Sequence, residues 1–331
     1  MINLARNLLT SVDRANRIAI ITHVNPDGDG FCAALALQRI ILRYGKDSII
    51  FTDDDDLSRY DYLMKSCHVE QYHPGQETAL DLMFILDCNS RDRLGEREEL
   101  IKISKRNVLL DHHVVEHNPI LAETSLIDSS YVSVGAIIYA IFKEHIAMMD
   151  AEDRLHIGNC LYTTILNDTN NFANANTDRA VYQLSAELCN LGIKPNELYK
   201  EFFLNHAAEE MKYVGETLST IELHLNNKVL TMHSTLEMMQ RNKLNPDSVM
   251  NITRWVQGVK GIDAIIYLRE DAPMLYKLSL RSVKLDVNKI AVRYGGGGHR
   301  QASGCTVNGS LEDITNMILQ DFSQALEEMG D

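Results

Sequence analysis

The 331-residue chain has no apolar run of 18 residues, the length that a membrane-crossing helix requires. Its first residues, Met1-Ile-Asn-Leu-Ala-Arg-Asn-Leu-Leu-Thr, lack the charged, apolar and small-residue segments of a signal peptide and read instead as an amphipathic helix. No C-x-x-C pair is present. The six cysteines (Cys32, Cys67, Cys88, Cys160, Cys189 and Cys305) are scattered, which gives little support to a zinc site and predicts buried, reduced thiols in a cytoplasmic protein. Positive charge is scarce as well: 32 Lys plus Arg stand against 46 Asp plus Glu, a net of −14. Proteins that bind long nucleic acid carry the opposite bias. A long duplex is therefore not expected as a partner, unless metal ions supply positive charge locally. Internal repeats and low-complexity tracts are also missing. What remains is an ordinary globular composition, 45% hydrophobic and 24% charged, with enough length for about two domains and a sizeable core.

Short apolar, β-branched runs alternate with helical patterns through the first half. Residues 17–24, 48–52, 82–86 and 107–110 read as buried strands, while 31–44, 132–145, 154–166 and 177–191 have apolar helical spacing. Such alternation predicts an α/β fold with a mostly parallel sheet flanked by helices. The pattern changes after Gly192. Residues 195–225 look helical, without a strand, and 228–233, 262–270 and 274–281 read as strands ahead of a helix over 287–293. The expected division is a first domain over 1–192, a helical connector over 193–225 and a smaller α/β domain over 226–331.

One arrangement recurs three times: an apolar strand ends and acids or histidines follow at once. His23, Asp27 and Asp29 come after the first strand, Asp87 after the third, and Asp111, His112 and His113 after the fourth. In open parallel sheets ligands bind beyond the carboxyl ends of the strands, so these residues are expected to converge. Crowded carboxylates repel one another and take up protons unless a cation compensates. Carboxylate and imidazole donors together suit divalent ions such as Mn²⁺, and two such ions about 3.5–4 Å apart can activate water and clamp a phosphoryl group. Blander readings exist for each group alone: Asp27-Gly-Asp29 as a turn, Asp87 as a helix cap, Asp53 to Asp56 as a solvated loop. Asp111-His112-His113 directly after Val-Leu-Leu resists one. His117, His145, His156 and His206 are isolated and read as structural.

These residues carry a resemblance. His23-Val-Asn-Pro-Asp-Gly-Asp-Gly30, Ile85-Leu-Asp-Cys-Asn, Leu110-Asp-His-His and Asn167-Asp-Thr-Asn-Asn-Phe resemble motifs I to IV of the DHH phosphoesterase family. Leu280-Arg-Ser and Arg293-Tyr-Gly-Gly-Gly-Gly-His-Arg-Gln-Ala-Ser-Gly resemble its substrate-binding DHHA1 domain. In order and spacing the match runs over roughly residues 15 to 308 and looks like the bacterial nano-RNase and pAp-phosphatase branch. The resemblance implies an N-terminal DHH domain and a C-terminal DHHA1 domain. It also implies two Mn²⁺ per active site, with Mg²⁺ or Co²⁺ as substitutes. It puts His23 and Asp27 on one ion, Asp29, His112 and Asp168 on the other, and Asp87 across both. Asp111 would orient His112, and His113 would assist the leaving oxygen. Motif IV departs from the family's usual Thr-Asp-Thr-Gly, since Asn170 stands in place of the glycine.

In the second domain, the resemblance has Arg281 and His299 take the terminal phosphate of a short nucleotide, with Gly296, Gly297, Gly298 and Ser303 beside them. Glycines without Cβ atoms can expose backbone N–H groups to a phosphate or base, although a flexible hinge is the alternative reading. The expected activity is Mn²⁺-dependent cleavage of short linear 5′-phosphorylated oligonucleotides, above all dinucleotides such as pGpG or pApA. A pAp phosphatase and a cyclic-dinucleotide phosphodiesterase are rival enzymes, and a nucleotide-binding regulator is the rival outside catalysis. No membrane partner is expected, and a homodimer is expected by family analogy only.

Overall fold

The computed structural model describes residues 1–54, 56–115, 117–244 and 252–330, with the side chains of His299 and Met329 outside that set. The chain divides into two compact units, Met1–Asn205 and His206–Asp331. The first runs α1 (Ile2–Arg14), β1 (Ile18–Ile21), α2 (Gly28–Arg43), β2 (Ile49–Thr52), α3 (Asp61–Met64), β3 (Val69–Gln71), β4 (Leu82–Leu86) and α4 (Leu100–Ile103). It continues with β5 (Asn107–Asp111), β6 (Thr124–Ile127), α5 (Val134–Ala147), α6 (Ala151–Asp168), α7 (Arg179–Cys189) and α8 (Pro195–Phe203).

Its six strands are all parallel, in the order β3-β2-β1-β4-β5-β6. Both faces of the sheet are covered. Ile18 and Ile20 of β1 pack with Leu82, Phe84 and Leu86 of β4 on the face that receives α2, α5 and α6, while Ala19, Ile21, Met83 and Ile85 pack on the other. Burial on both faces is why these strands read as unbroken apolar runs. Removing each large aliphatic side chain from water contributes about 1.5–3 kcal/mol. Chain order reverses direction across the sheet between β1 and β4, which makes the gap beyond their carboxyl ends the switch point where ligands of such sheets bind.

The second unit runs α9 (Ala208–Leu218), β7 (Glu222–His224), β8 (Val229–Ser234), α10 (Leu236–Arg241), β9 (Ala264–Ala272), β10 (Leu275–Ser282), α11 (Val287–Arg293), β11 (Gly297–His299), β12 (Ala302–Asn308) and α12 (Leu311–Gly330). Its sheet, in the order β11-β12-β10-β9-β8-β7, is antiparallel except between β8 and β9. Residues 195–225 were expected to be free of strand. They contain β7, three residues with an exposed-exposed-intermediate pattern whose partner is β8. The helices of that stretch are shared out, α8 in the first unit and α9 in the second. All six cysteines are free thiols, as expected, but Cys189 is exposed and Cys67 half-buried rather than fully enclosed. Among the described residues no helix is long and apolar enough to cross a membrane.

Candidate metal centre

The carboxyl ends of β1, β4 and β5 lie side by side, and the loops beyond them bring together residues spread over 146 sequence positions, from His23 to Asp168. His23, Asp27 and Asp87 each place one donor atom within 4.8 Å of the others; so do Asp29, His112 and Asp168, and Asp87, His112 and His113. Asp87 stands between the groups. Its Oδ2 is 3.6 Å from His23 Nε2, and its Oδ1 is 3.6 Å from His112 Nε2. His112 Nε2 is also 3.4 Å from Asp29 Oδ2 and 3.1 Å from Asp168 Oδ2. All the expected first-unit residues therefore share one place.

Local backbone chemistry aims each of them. Asp27 is the N-cap of α2, its Oδ1 accepting from the N–H groups of Asp29 (2.9 Å) and Gly30 (3.2 Å). The segment is thus the start of a helix rather than only a turn, and the same carboxylate lies 3.9 Å from His23 Nε2. Asp29 is fully buried and accepts at both oxygens from the start of α5, Val134 N–H at 2.7 Å and Gly135 N–H at 3.1 Å. A helix N-terminus stabilises negative charge there. Asp87 caps nothing. It adopts a left-handed φ of 57° at the end of β4, a conformation rare for non-glycine residues and concentrated at functional sites.

The imidazoles are held by carbonyls. A carbonyl oxygen can only accept, so Nδ1–H of His23 donates to Val24 O (2.7 Å) and Nδ1–H of His112 donates to Tyr131 O (3.3 Å). In its neutral, ligating form each ring would then turn its Nε2 lone pair toward the carboxylates, the arrangement that ligating histidines use. This corrects one expectation: Asp111 does not orient His112. Its Oδ1 accepts from the backbone N–H (3.0 Å) and Nδ1 (2.9 Å) of His113, and its Oδ2 accepts from Asn89 Nδ2 (2.6 Å). An aspartate closing an Asx turn reaches the residue two positions on, not its immediate neighbour.

Without a cation the centre is electrostatically frustrated. Burial, reinforced by Asp168, Asp87 and Asp27, pushes the Asp29 carboxyl well above its ordinary range, and burial raises Asp168 as well, against the pull of His112. Burial alone would keep His23 neutral, yet the neighbouring carboxylates of Asp27 and Asp87 raise it to about 9. The hydrogen bond to Asp111 and the nearby Asp87 carboxylate raise His113 to about 10. Protons thus take the place that a cation would fill. Asp87 Oδ1, His112 Nε2 and Asp168 Oδ2 are moreover buried with no hydrogen-bond partner, a costly state unless another group satisfies them. The donor set and these orphaned atoms fit divalent metal ions.

Asn170, the departure in motif IV, has φ 46°, and Asn171 and Phe172 follow at 56° and 64°. Asparagine is among the few side chains that tolerate this left-handed region, so Asn170 supports the turn that the family's glycine would make. Asp53 lies exposed in a loop as expected, and also receives the buried Arg97 at 2.7 Å; Asp55 lies outside the described residues.

In the second unit, Arg281 is half-buried in β10 and donates to the carbonyls of Leu280 (2.9 Å) and Ser303 (3.5 Å), making no ion pair among the described residues. Ser303 is buried in β12, opposite Gly298 in the β11–β12 pairing. Two of the glycines answer to the fold itself, not to a hinge. A Cβ on Gly296 would come within 2.1 Å of Gly304 O, and one on Gly298, at φ 136°, within 2.7 Å of Ala302 O. A Cβ on Gly297 would meet nothing within 4 Å. The backbone of His299 ends β11, but its side chain lies outside the described residues. Sequence reading missed Asn89, Asn167, the Tyr131 carbonyl and the Val134 and Gly135 N–H groups; of these only Asn89 and Asn167 stood inside quoted motifs.

Comparison with known proteins agrees with this architecture. Residues 17–166 match the model of the DHH family, N-terminal domain, and residues 227–328 match that of the DHHA1 domain. Together they take in well over half of the chain, which belongs to the DHH/DHHA1 family and is a metal-dependent phosphoesterase. The bifunctional oligoribonuclease and PAP phosphatase NrnA of Thermus thermophilus is 27% identical over 319 residues, covering 95% of this chain and 91% of that protein. The protein of the same name from Bacillus subtilis is 22% identical over 329 residues, covering 97% and 98%. Among solved structures, an exopolyphosphatase-related protein from Bacteroides fragilis superposes with a TM-score of 0.85 at 24% identity, covering 98% of this chain and 95% of that one. RecJ of Thermus thermophilus, solved with Mn²⁺, gives 0.56 at 13% identity, covering 97% and 54%. These likenesses establish a shared fold.

Proposed function

We propose that the protein is a Mn²⁺-dependent phosphodiesterase that cleaves short linear 5′-phosphorylated oligonucleotides, dinucleotides above all, to mononucleotides. The observation that carries the reading is Asp87, whose two oxygens face His23 and His112 at 3.6 Å each, as a carboxylate shared by two ions requires. His23 and Asp27 would hold one ion, and Asp29, His112 and Asp168 the other. When bound, such a pair supplies Lewis-acid activation of water and neutralises charge on the phosphoryl group.

The chain's own residues do the rest. His113 is tied through Nδ1 to Asp111 at 2.9 Å, which leaves Nε2 as the nitrogen that can meet substrate. The carboxylate of Asp111 favours the protonated form of His113, from which Nε2 can hand a proton to the departing oxygen. Asn89 holds Asp111 from behind. In the second unit Arg281, Gly296, Gly297, Gly298, His299 and Ser303 are the proposed contacts of the terminal phosphate; a guanidinium suits that group better than an ammonium does. The relatives named as bifunctional favour a second reading on the same residues, dephosphorylation of pAp.

A manganese-supplemented panel of pGpG, pApA, pAp, cyclic dinucleotides and RNAs of increasing length tests the proposal. The expected result is fastest release of mononucleotide from the linear dinucleotides, with rates falling steeply beyond a few residues. Equal rates on long RNA overturn the length preference. A preferred rate on pAp moves the assignment to the phosphatase. Nucleotide binding with no manganese-dependent release identifies a regulator.

A further inference from the structure

Asn167 occupies the penultimate position of α6, immediately before Asp168. Its Nδ2 donates to Asp168 Oδ1 at 2.9 Å, and its Oδ1 accepts from the backbone N–H of Gly28 at 3.2 Å. Gly28 opens α2 directly after Asp27. One amide therefore spans the two ligand groups: on one side the carboxylate of the group with Asp29 and His112, on the other the segment that carries Asp27. The same side chain is among the groups that hold the Asp27 carboxyl low. With Oδ1 of Asp168 engaged, Oδ2 is left as the buried, unbonded oxygen 3.1 Å from His112 Nε2. The Asp168 carbonyl is fixed too, by Nδ2 of Asn174 (3.0 Å) and of Asn176 (3.1 Å).

The packing leaves this link little freedom. A Cβ on Gly28 would lie 2.9 Å from Asn167 Oδ1 and 2.6 Å from Phe202 Cζ, so the α2 backbone must approach the amide as closely as glycine permits. Only a side chain that both donates and accepts can serve both ends; a carboxylate could not donate to Asp168, and an aliphatic residue would leave the Gly28 N–H unmet. Among the described residues, no other side chain has hydrogen bonds that reach both the Asp27–Gly28 segment and Asp168.

We infer that Asn167 is a positioning residue that couples the two metal-ligand groups, setting where Asp168 stands relative to Asp27 and so the spacing at which two ions bind. This rests on the two-ion reading above. The test is calorimetric titration of the metal-free protein with Mn²⁺, together with electron paramagnetic resonance of the loaded protein, on the parent, Asn167→Ala and Asn167→Thr. The parent is expected to take up two ions and to show the exchange-coupled signal of a close pair. Asn167→Ala should bind its first ion as the parent does and its second about 10–100-fold more weakly, the usual effect of losing a ligand's supporting hydrogen bond, with the coupled signal lost. Asn167→Thr should regain most of both, because a hydroxyl also donates and accepts. Should Asn167→Ala fail to fold, the near-isosteric Asn167→Leu carries the same readout. A purely structural pin between α2 and α6 would lower the melting temperature of the metal-free protein and leave both ion affinities and the signal unchanged; that result overturns the inference alone. A parent that binds a single ion overturns the two-ion reading and the inference with it.

Discussion

The two units hold their functional residues in opposite ways. In the first, all the candidate ligands but Asp87 have side chains tied to backbone or amide groups: Asp27 and Asp29 to the starts of α2 and α5, His23 and His112 to carbonyls, Asp168 to Asn167. Orphaned donor atoms are left pointing inward. In the second, Arg281 meets only carbonyl oxygens among the described residues, and two of the glycines are explained by β11 lying against β12. A metal centre needs several charges held close against their repulsion, so it must be built rigidly and is conspicuous. A phosphate-binding edge needs a cation and some open backbone, and it leaves few marks until its ligand arrives. Substitutions in the first unit should therefore alter chemistry and ion binding, and those in the second should alter substrate affinity.

The largest contrast is expected from Asp87→Asn. Asparagine tolerates the φ of 57° at this position, so the backbone is spared while the shared carboxylate is lost. Turnover of a linear dinucleotide should fall by about 10³-fold or more, since several kcal/mol of charge stabilisation depend on the ions. The metal-free protein should melt close to the parent, because relief from one of four mutually repelling carboxylates is offset by loss of the attraction between Asp87 and the protonated His23 and His113. Full manganese-dependent activity in Asp87→Asn would sink the assignment of this centre.

How much of this was legible in the sequence depended on burial. β1, β2, β4 and β5 were read correctly because strands covered on both faces are continuous apolar runs. β3 and β6 lie at the sheet edges, are half-buried over three or four residues, and carried no such signal. Gly297-Gly298-His299 has no strand signature at all, yet forms β11. The pattern of α12, with Ile314, Ile318 and Phe322 four apart and buried, was present and went unread. The ligand set was readable because each strand end wasted apolar space on charge. The supports were not: Tyr131 lies 19 positions from His112, and Asn167 lies 139 from Gly28, and no local pattern encodes such bonds.

Metal binding should be strongly pH-dependent, and the sign follows from which form ligates. The neutral imidazole binds a metal, whereas in the metal-free protein His23 is protonated below about 9 despite its burial, because the carboxylates of Asp27 and Asp87 lie beside it. Asp29, raised by burial and its carboxylate neighbours, also gives up a proton when a cation arrives. Binding at pH 7 must therefore release protons. The apparent affinity should fall as pH falls below about 9, by about tenfold per pH unit for each proton released. Calorimetry in buffers of different ionisation enthalpy counts those protons directly. A count of zero between pH 6 and 8 would break the picture of protons standing in for cations.

The smallest effects are expected in the second unit, and they sharpen the contrast by being of another kind. Arg281→Lys keeps the charge but loses the planar two-pronged donor, so KM for a 5′-phosphorylated dinucleotide should rise about tenfold while kcat changes less. Gly298→Ala places a Cβ 2.7 Å from Ala302 O at a φ of 136°. Strain of that sort costs about 1–3 kcal/mol and should lower the melting temperature by about 2–4 °C for each kcal/mol. Manganese uptake, measured by calorimetry, should be untouched in both variants because none of the candidate ligands belongs to this unit. If either substitution weakened ion binding as Asp87→Asn should, the division of labour between the units would be wrong, and the second unit would have to contribute to the metal centre itself.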